Sequence, residues 1–281
     1  VLASRAPDVV KTGLETARAH ASAAQARYDQ ETISRADLLA AKVRVAELEE
    51  QLIRAQNGVD HVSESLSLII GASSDLLVDP ADSLVAQESA APLRAYLKRA
   101  MDSRPDLVAS AFRASAARQG IISARSRMIP HLNGQLSVTL DSDDAFSRQG
   151  ESWFAGAILS WDLFSGGRTV GAVRSAKAKA EGAAAGHAFL EESIEREVKQ
   201  SYREVISARQ RIQVADTGLN QAGERLRITE LQYREGLATT TDLLDAESAL
   251  TEAKLRRIKA LHDLNVGLAK LAFVTGMDLD V

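Results

Sequence analysis

The sequence predicts a mainly α fold: very long antiparallel coiled-coil helices with one β-hairpin set among them. Three observations predict it. Val198, Val205, Ile212, Leu219, Leu226 and Tyr233 recur every seven positions, and a small residue follows each three places later (Ser201, Ala208, Ala215, Ala222, Thr229, Gly236). That is a coiled-coil seam with close helix approach. Around 132–163 the apolar period falls to two, which marks strands. The passage YREGLATTTDLLDAE at 233–247 also has a diverged copy, YDQETISRADLLAAK, at 28–42. Tyr28 answers to Tyr233, Asp37 to Asp242, Leu38 and Leu39 to Leu243 and Leu244, and Gly71 to Gly276, all at an offset of 205 residues. The chain holds two copies of one unit.

Composition agrees. Aromatic residues are only 4% of the 281, which suits helices packed through small side chains rather than a bulky-cored sheet protein. The absence of cysteine excludes a disulfide framework and cysteine-ligated zinc. A net charge of −4 argues against a nucleic-acid surface, which needs a basic face. No apolar run reaches the roughly 18 residues of a membrane-spanning helix. The chain opens inside a helical pattern at Val1-Leu2-Ala3, with no initiator Met or visible signal peptide, and reads as N-terminally incomplete.

Residues 1–71 read as a first-repeat helical hairpin. One helix runs from Val9 to about Ile33 on a stripe of Leu14, Ala17, Ala21, Ala24 and Tyr28. Pro7 marks its first turn or a bend. The return helix, Asp37 to Ile70, carries Leu38, Val45, Leu52, Val59 and Leu66 every seven residues and stops at Gly71. Residues 72–104 are a Ser-, Asp- and Pro-rich connection with a short helix from Pro92 to Met101. Residues 105–129 form a helix opened by Pro105 and ended by Pro130.

Residues 130–164 form the β-hairpin. Leu132, Gly134, Leu136, Val138 and Leu140 alternate with polar residues. After a polar loop, Trp153, Ala155, Ala157, Leu159, Trp161 and Leu163 share one strand face. Two tryptophans eight residues apart span about 26 Å along a strand, near the height of an outer-membrane barrel's apolar band. They fit interfacial belts at both edges of such a band, or equally two core tryptophans in a soluble sheet. Residues 165–281 are the second-repeat long hairpin. No proline occurs from Thr169 to Gly236, and Leu243, Leu250, Leu264 and Leu271 lead back, interrupted by Arg257.

A two-stranded hairpin cannot stand alone in water, and in lipid only closed barrels span as sheet. The long helices also need neighbours. A ring of identical protomers, each offering two repeats, meets both demands and produces a tube: a β-barrel continuous with an α-barrel.

Three groups of residues carry a family resemblance. Arg104-Pro105-Asp106-Leu107 opens the helix that ends at Pro130-His131-Leu132. Trp161-Asp162-Leu163-Phe164-Ser165-Gly166-Gly167 follows the second strand. Tyr233-x-x-Gly236 precedes Asp242-Leu243-Leu244-Asp245-Ala246. With these pieces in this order, the chain resembles the TolC-like outer-membrane factor family of Gram-negative bacteria. The resemblance implies a homotrimer with a transmembrane β-barrel and a periplasmic helical tunnel. It implies a passive exit duct for efflux or type I secretion, opened by a periplasmic adaptor protein and an inner-membrane pump of RND, ABC or MFS type. It implies neither enzyme activity nor a cofactor, and no metal site. A soluble periplasmic coiled-coil adaptor is the competing reading, but it explains neither the paired tryptophans nor the duplication.

The five histidines are dispersed, with no metal-ligand spacing on a helix face. Gly166-Gly167 lacks the Lys-Ser/Thr of a phosphate loop. Asp242 and Asp245 read as a helix cap and a favourable first-turn charge and, repeated by three-fold symmetry, as acidic rings that attract cations; the two readings can both hold. The resemblance places such rings at the tunnel's periplasmic aperture and implies a bond from Tyr233 to Asp37 that helps hold it shut. The family's arginine at this lock falls on Ala238 here. The tips Gly236, Leu237, Ala238, Thr239 and Glu31, Thr32, Ile33, Ser34 are implied to dock the adaptor, and Trp153 and Trp161 to lie at the membrane interfaces.

Overall fold

The computed structural model describes residues 2–71, 84, 91–140 and 151–277. Its elements are α1 (Leu2–Asp29), α2 (Arg35–Ile70), α3 (Leu93–Ser103), α4 (Pro105–Ser126), β1 (His131–Leu140), β2 (Glu151–Ser160), α5 (Arg168–Arg234) and α6 (Thr240–Val274). Most of the expected connection at 72–104 and the loop between the strands lie outside the described residues. The chain packs as two units: residues 1–95 with 198–281, and residues 96–197.

In the first unit α1 and α2 form an antiparallel hairpin. Val10, Leu14 and Ala17 pack on Leu48, with Val45 and Leu52 at the flank. Nearer the turn Ala24 meets Leu38 and Ala41. Pro7 lies inside α1 rather than starting it. The 198–234 part of α5 runs antiparallel to α6, and their partners step symmetrically away from the turn. Asp216 pairs with Arg257, Arg211 with Asp263 at 3.8 Å and Glu204 with Lys270 at 2.8 Å. Arg257, which breaks the leucine row, therefore has its charge answered across the seam.

The alternation of large and small residues has its expected effect. Val198, Val205, Leu243, Leu264 and Leu271 are fully buried, and Ser201, Ala208, Ala246, Ala253 and Ala260 are buried beside them. A Cβ on Gly267 would sit 3.4 Å from Val205 Cγ2, in van der Waals contact, so the seam has room there for a methyl group and little more. Truncating any of these leucines to Ala should cost about 2–5 kcal/mol.

In the second unit, Arg104 precedes Pro105 at the start of α4. Its guanidinium holds Asp106 through two bonds of 3.0 and 2.6 Å and donates a third, of 2.7 Å, to Glu197 on α5. The Arg104 bonds hold the Asp106 carboxyl below its ordinary pKa. Ser110 and His187, 2.7 Å apart, join the same two helices. The Arg-Pro-Asp sequence is thus a helix start tied to its neighbour.

β1 and β2 pair antiparallel, Leu132 with Leu159, Leu136 with Ala155 and Val138 with Trp153. One face is apolar, and the other carries Asn133, Gln135, Ser137 and Thr139. The Phe154 ring lies over Gly156, where a Cβ would come within 2.7 Å of a ring carbon, so on this face the glycine makes room for the ring. β2 ends at Ser160, so Trp161 is not on the strand as expected. Its indole N–H donates to Met128 O at 3.2 Å, fastening the exit of β2 to the turn that follows α4. Gly156 apart, every hairpin side chain described is exposed.

Candidate functional site at the helical turns

Both long hairpins reverse through one five-residue turn built twice. In the first, Glu31 N–H donates to Tyr28 O at 2.9 Å and Thr32 N–H to Arg27 O at 2.9 Å. In the second, Gly236 N–H donates to Tyr233 O at 3.2 Å and Leu237 N–H to Gln232 O at 2.7 Å. These bonds satisfy the last carbonyls of α1 and α5. The geometry needs a left-handed residue, supplied by Gly236 at φ 74° and Glu31 at φ 58°. Glu31 is the only non-glycine residue with positive φ among those described, a conformation that costs an L-residue about 1–2 kcal/mol.

Each return helix then starts on a capping box. Thr239 N–H and Oγ1 donate to Asp242 Oδ2 at 2.9 and 2.6 Å, and Asp242 N–H donates to Thr239 Oγ1 at 3.1 Å. Ser34 and Asp37 repeat this at 3.2, 2.6 and 3.1 Å. The cap of α6 is therefore Thr239, and Asp242 is the third helical residue closing the box. The sequence offers Asp242 as the cap; the geometry puts the cap three residues earlier. Ile33 packs back against the Ala24, Leu38 and Ala41 cluster, in the sequence position of a hydrophobic staple, so it is not a free tip residue. Leu237 stands 79% exposed.

Asp242 is pulled below its ordinary pKa of 3.8, first by the Thr239 hydroxyl and then by the Thr239 backbone N–H. Asp245, one turn on, is exposed and has no hydrogen-bond or ion-pair partner among the described residues. Tyr233 does not bond Asp37. The Asp37 carboxylate is engaged in its own cap, and the Tyr233 hydroxyl lies 3.4 Å from Thr240 Oγ1 while the Arg27 guanidinium covers its ring at 4.5 Å. Such a cation–π contact contributes about 0.5–2 kcal/mol. Arg27 was missed in the sequence, where nothing marks which basic residue near a turn meets an aromatic ring.

Residues 96–277 match the family described as outer membrane efflux protein. The chain belongs to that family. Among curated relatives it is 25% identical over 262 residues to the alkaline protease secretion protein AprF of Pseudomonas aeruginosa, covering 90% of this chain and 54% of AprF. It is 23% identical over 180 residues to the outer membrane protein TolC of Vibrio cholerae, covering 64% and 41%. The chain thus spans about half the length of these relatives or less. The crystal structure of the outer membrane protein VceC from Vibrio cholerae superposes with a TM-score of 0.81 at 21% identity, over 98% of this chain and 66% of that one. At that identity the likeness carries the fold.

Two outcomes are expected from the turns. Glu31→Gly should stabilise the protein and Gly236→Ala destabilise it, each by about 1 kcal/mol, read as opposite shifts of the denaturation midpoint. For the cap, the folded pKa of Asp242 lies below the unfolded one. Its contribution is complete above about pH 4 and is lost as pH falls through the folded value. Thr239→Ala should move the Asp242 titration, followed by carboxyl NMR, upward toward 3.8.

Proposed function

We propose that the protein is the outer-membrane exit duct of a tripartite efflux or type I secretion system. Three copies close a β-barrel in the outer membrane and a helical tunnel in the periplasm. The observation that carries this reading is the β-hairpin with both faces exposed, on a chain whose long helices carry coiled-coil seams. An apolar outer face, a polar inner face and unpaired edges fit a closed barrel in lipid. Trp153 and Trp161 then anchor the two edges of the apolar band. Family membership supports the same reading, and AprF is named for secretion of a protease. The duct performs no covalent chemistry, and energy comes from an inner-membrane pump. Cross-linking of the complete protein in detergent should give a trimer; a soluble monomer would favour the adaptor reading.

Three-fold symmetry makes Asp242 and Asp245 six carboxylates around the periplasmic end of the tunnel. Asp242 stays ionised but gives one carboxylate oxygen to its cap, whereas both oxygens of Asp245 are open to ions, so Asp245 dominates the ring. Block of planar-bilayer conductance by multivalent cations should weaken strongly in Asp245→Asn and less in Asp242→Asn. Equal block in both variants and parent would remove the ring.

The tips dock a periplasmic adaptor, and Leu237 is the apolar anchor. Leu237→Ser should lower adaptor affinity about tenfold or more, the scale of an interface hot spot, and leave the denaturation midpoint unchanged. The matching change Thr32→Ala should have little effect, because the first tip offers no exposed large apolar residue.

A further inference from the structure

Glu247 is the one charged side chain in the buried set among the described residues, 7% exposed on α6. A carboxylate shielded to this degree needs a positive partner. That partner is His20 of α1, whose Nε2 lies 2.9 Å from Glu247 Oε1. The contact joins the first helical hairpin to the second. It is an ion pair by distance, although Oε1 receives no well-aligned N–H.

The pair sits on a seam with its own period. A Cβ on Gly13 would lie 3.3 Å from Thr251 Oγ1, His20 meets Glu247, and Arg27 covers Tyr233. Gly13, His20 and Arg27 are seven residues apart, on the flank of α1 beside the Leu14-Ala17-Ala24 stripe that packs on α2. Beside Glu247 is a cavity of about 40 Å³ lined by Arg44 of α2 and Lys254 of α6 as well as by Thr12 and Thr16. Arg44 Nε is buried without an acceptor, while its Nη1 reaches Glu47 at 3.2 Å. From α5, Glu230 and Arg234 also act on the imidazole.

We propose that His20 and Glu247 are a proton-controlled latch: with His20 protonated, α1 of the first hairpin is held to α6 of the second, and loss of the proton releases the seam. Glu247 raises the His20 pKa above 6.5; burial opposes this, Glu230 adds to it and Arg234 subtracts. A raised folded pKa fixes the sign. The latch is fully engaged below the unfolded value of 6.5 and weakens as pH rises through the folded value. The latch itself follows from the contacts within one chain. Only its use, easing the hairpins apart when the tunnel opens, rests on the duct reading.

These 281 residues hold no cysteine, and with any cysteine elsewhere in the complete protein replaced by Ser a cross-link reports on the seam alone. In the complete protein, Gly13→Cys with Thr251→Cys is joined by a short bifunctional thiol reagent at pH 6 and pH 8.5. Parent and His20→Gln backgrounds are compared at each pH, so that thiol ionisation cancels. The parent should cross-link about threefold faster than His20→Gln at pH 6, the shift a partly exposed ion pair supplies, and at the same rate at pH 8.5. Glu247→Gln, which keeps the shape of the side chain, should match His20→Gln, and the double variant should lose nothing more. A parent-to-variant ratio independent of pH overturns the latch, as does a pH-dependent ratio that survives Glu247→Gln. Conductance measured across the same pH range tests the use separately. A pH-dependent cross-link with pH-independent conductance keeps the latch and removes its role in opening.

Discussion

A chain can reverse between two long helices within five residues only if the backbone groups stranded at both ends find partners. In this protein that constraint is met twice by the same arrangement. A left-handed residue closes the last turn of the outgoing helix, and a hydroxyl and a carboxylate three residues apart open the return helix. The heptads can mesh antiparallel because this turn sets their register. Arg257 meets Asp216 and Gly267 meets Val205 for the same reason.

The turn also constrains its own acidic residues. Asp37 and Asp242 are bonded within their caps before any other role is open to them. Tyr233 takes Arg27 and Thr240 as its partners rather than Asp37. Asp245 has no architectural duty, which leaves its charge available to solvent and ions. Two aspartates that look equivalent in the sequence are therefore unequal in chemistry.

Much of the fold was legible because it is periodic. The 205-residue repeat, the large and small rows and the alternating strands each depend on spacing alone, and α5 runs unbroken from Arg168 to Arg234 as the absence of proline suggested. What escaped depends on contacts between elements. Trp161 continues the strand alternation, yet its indole bonds the turn that follows α4 and the strand stops before it. His20 looked like one of five scattered histidines; only packing of α1 on α6 reveals that it faces a buried glutamate. The cap of α6 was misplaced by three residues because a threonine run and an aspartate are both good caps, and geometry decides between them.

The doubled turn also bears on how the protein can change over time. Its shape is held by main-chain bonds, one left-handed residue and a capping pair in each copy, and the first copy adds a bond from Thr32 Oγ1 to Arg27 O at 2.8 Å that Leu237 cannot make. Glu31 in one copy and Gly236 in the other occupy the same backbone site, and Thr32 stands where Leu237 does. Such a scaffold lets two ends of common descent acquire different surface chemistry while the underlying grammar of the fold stays intact.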